Sequence, residues 1–369
     1  MKEPFSLQQK LRDSHGIVLV WVALLLVVFI SFAALAVDIG YAAVVRNELQ
    51  NVGDAGALAG ARQLGVIYEP MTIAQQRAYV CDPSTITSPV ISVASQNQAG
   101  NLSIAVPTSD IRIGKWDATA KRFVPDAPGS DLNQPDAVEV TARRDGQANG
   151  PFSTFFAYMM GAPTLNSLAV ATAALTGANE VPAGDLIPVG ISWDWIRSTP
   201  NFCNQPIQFN PSNQATGCAG WNTFTNSPTS DSKLRNNILE PWISAVQSGG
   251  TYTTPGAELP LDFEFIGGQL SDPTFDAFNT LFNLMKTRDG DGDDTAWSVF
   301  LPVYDNGTGC SNPHGNLPIV GFAAAKITSV VGPPAKTIDA QVTCNLVVPD
   351  SRGGGCNCGV KGAIPGLVR

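Results

Sequence analysis

The sequence predicts an α+β protein: one N-terminal transmembrane helix extended into a long juxtamembrane helix, then β-rich extracytoplasmic structure. Three observations carry this. Residues 17–37 are apolar except for Ser31, and they lead without a proline into a Gly- and Ala-rich stretch at helical spacing. Beyond about residue 65, short β-branched runs alternate with Pro, Gly, Asn and Asp. Charged residues make up 14% of the 369, against about 25% in ordinary globular chains. With 35 glycines and 27 prolines, the body is expected to be rich in turns, its polarity resting on Asn, Gln, Ser and Thr.

The apolar run 17–37 spans about 30 Å as a helix, enough to cross a bilayer. Lys2, Lys10 and Arg12 precede it, whereas the stretch just after Val37 holds only Arg46. That Lys/Arg bias places residues 1–16 in the cytoplasm and everything from Asp38 outside. A cleaved signal peptide shares the basic start and apolar middle. Here the run is too long for a signal core, and Ala34-Leu35-Ala36 continues into helical sequence, so a retained anchor is favoured. A buried core helix is disfavoured because the run has no polar face.

In 38–64, Ala42, Val45, Leu49, Val52, Gly56 and Ala59 recur at steps of three and four, which is one helical stripe. Gly56-x-x-x-Gly60 and Ala57-x-x-x-Ala61 place small residues one turn apart, where two backbones can approach closely. Gly53, Gly56 and Gly60 each cost about 1 kcal/mol of helix propensity relative to Ala, so a packing benefit is expected there. Its source is either the chain's own globular body or another subunit.

Residues 65–180 read as one β-rich domain, with a helix over 71–80 and strands over 90–94, 102–106, 111–116, 137–142 and 168–175. Residues 181–369 read as a second. Strands are expected there over 186–195, 259–266, 297–304, 317–331 and 338–348, and helices over 231–246 and 275–285.

The string Val37-Asp38-x-Gly40, followed by Leu49-Gln50-x-x-x-Asp54-Ala55-x-Ala57-Leu58-Ala59-Gly60-Ala61, resembles the N-terminal segment of TadE/TadG-like proteins of the Flp (tight adherence) pilus-assembly system. Asp38, Gly40, Gln50 and Asp54 are its motif positions. A looser block is similar to the region after that segment in many such chains: Ile113-Gly114-Lys115-Trp116-Asp117, Phe123, Pro135 to Arg143, Phe155-Phe156 and Gly161. Gly220-Trp221, Gly267-Gly268, Leu301-Pro302-Val303 and Ile319 to Phe322 are similar to the extracytoplasmic portion of some members. The resemblance implies a single-span protein of the bacterial inner membrane with no assigned reaction, whose partners are the bilayer and Tad/Flp components or further copies of itself. Two departures stand out. Gly53 and Gly56 replace the family's usual Ala, and Trp21 stands where prepilin-type cleavage after Gly16 would be accompanied by Glu.

Chemistry elsewhere is sparse. Asp289, Asp291 and Asp293 alternate with glycines, as in calcium loops. However, Asp294 replaces the invariant Gly and Phe300 the bidentate Glu, so a solvated turn is favoured and no cofactor is expected beyond that calcium candidate. Only His15 and His314 exist, and no nucleophile elbow, zinc-protease or phosphate-loop motif is present, so an enzyme is not expected. The net charge of −9, with no basic cluster, argues against nucleic-acid binding. Seven cysteines, at 81, 203, 218, 310, 344, 356 and 358, fit an oxidising compartment. Proximity suggests Cys203–Cys218 and Cys310–Cys344, with Cys356 and Cys358 oxidised and at least one thiol left over. Trp193, Trp195, Trp221, Trp242 and Trp297 are expected in the core. On the surface they would instead support an alternative function, a membrane-tethered module binding a glycan or an envelope protein.

Overall fold

One helix, α1, runs from Ser14 to Tyr68, 55 residues without interruption. The computed structural model describes residues 14–126, 133–203, 205–209, 219–267, 270–307 and 313–369. The two halves of α1 have different surroundings. From Val18 to Val37 its large apolar side chains are exposed, whereas Val45, Leu49, Val52, Ala57, Ala61 and Leu64 are fully buried. The sequence accounts for the change: bulky residues cover every side of the first half, and the second carries a stripe backed by Arg46, Asn47 and Asn51 on its exposed side.

The buried half of α1 lies across a five-stranded antiparallel sheet ordered Gly366–Leu367, Ser167–Ala174, Ala137–Arg144, Ile111–Asp117, Arg122–Pro125. Ala169, Ala171 and Ala173 alternate along the strand beneath the helix and are buried, which keeps the approach close. The helix Pro83–Ser95 packs against α1 with Ile86, Val90 and Ala94 buried at steps of four. This corrects the strand expected over 90–94. Asp82 accepts from the Ser84 amide at 2.9 Å and Pro83 fills the first turn, a helix start that overrides the β-branched composition. The expected helix near 71–80 forms over Ile73–Ala78 with a capping box of Thr72 and Gln75.

The second core is built on a seven-stranded sheet ordered Pro206–Phe209, Thr337–Thr343, Gly315–Val331, Leu261–Ile266, Ala219–Asn222, Val189–Ser192, Trp297–Tyr304. The 17-residue strand Gly315–Val331 pairs with Leu261–Ile266 at its start and with Trp297–Tyr304 further on, so five strands close into a ring. Asp272–Met285 and the helical stretch 231–247, which widens into a π turn at Arg235–Leu239, cover it. Two expected strands are shortened. In 186–195 the strand ends at Ser192, whose hydroxyl caps the helix Trp193–Ser198. The run 338–348 divides into Thr337–Thr343 and Leu346–Arg352 around Asn345, at φ 67°.

The C-terminal residues return to the first unit. Leu346–Arg352 pairs in parallel with Val360–Ile364, and Gly366–Leu367 adds an edge to the first sheet. Gln76 fastens the same junction, its amide accepting from Val347 N at 2.7 Å and donating to Val347 O at 2.9 Å. Cys203 is bonded to Cys344, Cα atoms 5.4 Å apart, correcting both pairings expected from proximity. Pairing of Pro206 with Gln341 brings the two together across 141 residues. Cys356 and Cys358 are bonded to each other, and Cys81 is free and buried. Cys218 and Cys310 lie outside the described residues.

Candidate functional site

The small-residue face of α1 meets its own chain. A Cβ added at Gly53 would lie 3.2 Å from Ala171 Cβ, and one at Gly60 2.8 Å from Val90 and 2.9 Å from Val138. At Gly56 the contact with Val90 would be an ordinary 3.4 Å. Ala57 and Ala61 are fully buried in the same core. Of the two sources of packing left open by the stripe, the chain's own body is the one seen, and these five positions are not free to receive another subunit.

The motif positions serve separate ends. Asp38 is only 4% exposed although it directly follows the apolar run. Its Oδ1 accepts from the Phe155 amide at 2.7 Å, and its Oδ2 from Phe156 at 3.0 Å and Ala157 at 2.6 Å. These amides open the turn Ala157–Met160, and the carboxylate satisfies donors that such a turn leaves bare. Burial pulls the carboxyl up, and the three amide bonds outweigh it, holding Asp38 below its ordinary value of 3.8. One turn further on, Tyr41 meets Phe152 and Phe155 edge-on, with centroids 5.7 and 5.3 Å away. Gln50 donates to Asp54 at 2.7 Å along the helix and reaches Val170 O at 3.5 Å. Gly40 is exposed with open space around it. The resemblance pointed to Asp38, but its partner lies 117 residues on and nothing local announces it.

Two contacts on α1 had no sequence signal. Glu48 accepts from the Gly100 amide at 2.7 Å, and Arg62 donates to Ala363 O at 3.4 Å where Gly65 lets that strand touch the helix.

In the acidic turn, Asp289 accepts from Ser298 N at 2.6 Å, and Asp291 from Asp293 N and Ser298 Oγ, both at 2.7 Å. Lys326 pairs with Asp291 at 3.6 Å and also with Asp293, while Arg77 stands 3.9 Å from Asp291. Lys326 is the main cause holding the Asp293 carboxyl well below its ordinary range. A lysine ammonium thus occupies the position between these carboxylates. Among the described residues no three His, Cys, Asp or Glu side chains are grouped to hold a metal.

Trp195, Trp221, Trp242 and Trp297 are buried in the second core and Trp193 packs against it, as expected of core residues. The four buried ones offer no aromatic surface to a glycan, whereas Trp193 is half-buried and lines a cleft. His314 is exposed, and His15 lies in the stretch whose side chains are outside the described set. A cleft of about 690 Å³ separates the two units, lined among others by Lys115, Trp116, Trp193 and Arg197. At its edge Lys361 is ion-paired with Asp136. Burial, with repulsion from Lys115, pulls Lys361 down to about 7.

The long helix that anchors, clamps and caps is also the part that matches known proteins. Residues 16–63 match the family described as "Putative Flp pilus-assembly TadE/G-like". No curated protein and no solved structure matches the chain. Over residues 16–63 the chain is therefore similar to the TadE/G-like family, and that stretch lies on a helix long and apolar enough to span a membrane.

Proposed function

We propose that this protein is a TadG-like assembly component of a Flp/Tad pilus system. It crosses the bacterial inner membrane once, N-terminus in the cytoplasm and body outside, and acts through protein contacts instead of catalysis. The observation that carries this reading is the construction of α1. Its apolar half is exposed on all sides, and its other half is fixed in the body's core.

Because Gly53, Gly56 and Gly60 are covered by the chain itself, the exposed small residues that fall on one face of α1 at helical spacing, Ala33, Ala36, Gly40 and Ala43, are the ones left for another helix. Other Tad components, or a second copy, would pack there. The full-length protein, purified from native membranes with its associated proteins identified by mass spectrometry, tests this. Wild type is expected to bring down pilus machinery. Gly40→Leu is expected to reduce that recovery several-fold while the body's unfolding temperature stays unchanged. Equal recovery with Gly40→Leu counts against packing at Gly40, and recovery of no pilus component by wild type counts against the assembly reading.

A further inference from the structure

We infer that the loop Phe155–Met160 is a second membrane contact, dipping its aromatic and methionine side chains into the leaflet that faces the body, beside α1. This rests on α1 spanning the membrane and goes beyond it, since a span alone requires no other contact.

Four observations lead there. Phe155, Tyr158, Met159 and Met160 are 61, 66, 84 and 85% exposed. Apolar side chains of that size presented together mark a contact surface. Charge is absent from the surrounding sequence, with no Asp, Glu, Lys or Arg between Gly146 and Asn179.

Height is the third observation. Asp38, the first charged residue after the apolar run, marks the edge of the hydrocarbon, and the amides of 155–157 sit directly on its carboxylate. Phe152 and Phe155 meet Tyr41, and Phe155 to Ala157 meet Asp38, one turn nearer the span. The loop therefore descends along α1 toward the bilayer, and its exposed tip comes next. Exposed Leu165 and Leu168, at the foot of the loop, extend the same apolar surface.

The fourth observation is that the loop is built to keep its shape in a poorly hydrated place. Thr154 donates through Oγ1 to Ala162 O at 2.7 Å and through N to Pro163 O at 3.1 Å. Gly161, at φ 88°, donates to Tyr158 O at 3.2 Å, and Ala162 donates to Ala157 O at 2.9 Å. Together with Asp38 these bonds occupy backbone groups that would otherwise need water, which suits a loop whose backbone stays at the interface, outside the hydrocarbon that excludes irregular chain, while its side chains dip. Tyr is a side chain favoured at the membrane interface, and Phe is one of those that interfacial segments bury in the acyl boundary.

The test is spin-label accessibility in the full chain, reconstituted at one copy per phosphatidylcholine/phosphatidylglycerol nanodisc. Met159→Cys and Met160→Cys carry a nitroxide, with Val28→Cys as lipid reference, Lys121→Cys as water reference, and the labelled unsubstituted chain as background. Labels at 159 and 160 are expected to collide several-fold more with oxygen than with a water-soluble nickel chelate, as at 28 and unlike at 121. Nickel access equal to that at 121 would overturn the inference, and so would exclusion of both reagents, which would mean that protein covers the loop. Nickel access at 28 as well would bring down the membrane-spanning reading itself, a failure distinct from that of the loop alone.

Discussion

Gly56 and Gly60 lie one turn apart on the same face of α1, and alanine is expected to act oppositely at the two. At Gly56 the new methyl makes an ordinary contact with Val90, so helix propensity decides and Gly56→Ala gains up to about 1 kcal/mol. At Gly60 the methyl is pressed between Val90 and Val138 within 2.9 Å. Overpacking then wins, and Gly60→Ala loses about 1–3 kcal/mol. Thermal unfolding in detergent checks the order, Gly56→Ala above wild type above Gly60→Ala. Asp38 gives a pH test. Its folded carboxyl titrates below the ordinary 3.8, so in acid the unfolded chain takes up the proton first. The stability it contributes is fully present above about pH 4 and is lost as pH falls through the folded value. Asp38→Asn is expected to be less stable than wild type at pH 6, with the gap closing toward pH 2.5. A gap independent of pH, in unfolding followed from pH 6 downward, would show that the carboxylate's charge is irrelevant.

Among the elements, those whose cue is local were legible in the sequence. The strand expected over 297–304 forms at Trp297–Tyr304, because a short, almost wholly apolar run of aromatic and β-branched residues between turn residues sets a buried strand wherever its neighbours lie. Val90 to Ala94 misled because the same β-branched residues fit a helix face at steps of four, and the deciding cue, Asp82-Pro83, lies before the run. The stripe on α1 was readable, but its partner was not, since a row of small residues looks alike whether a sheet or a foreign helix covers it. The acidic turn shows the same limit: Lys326, which answers its carboxylates, lies on a distant strand. Lys326→Met is expected to cost about 3 kcal/mol, because the wholly buried carboxylate of Asp291 loses its nearest ammonium. Guanidinium unfolding measures that loss, and an unchanged midpoint would mean that Arg77 and the Ser298 hydroxyl suffice.

Across the whole molecule the last strand joins the sheet on which the buried half of the first helix lies. The Cys203–Cys344 bond closes a loop of 141 residues around the second core. Replacing both cysteines by serine is expected to lower stability by about 2–5 kcal/mol, read from denaturant midpoints, while the first core, which lies largely outside that loop, keeps its protease resistance. Equal loss of resistance in both cores would show that they unfold as one. The uninterrupted α1 also has a mechanical consequence. A flexible linker would let the body swivel freely over the lipid; an unbroken rod lets it move only as the anchor moves. With 55 residues rising 1.5 Å each, the rod is about 80 Å long, so a lean of about 10° in the bilayer swings its far end by about 14 Å. The helix is a lever, and bilayer thickness or crowding in the membrane would be felt as a change in where the body points.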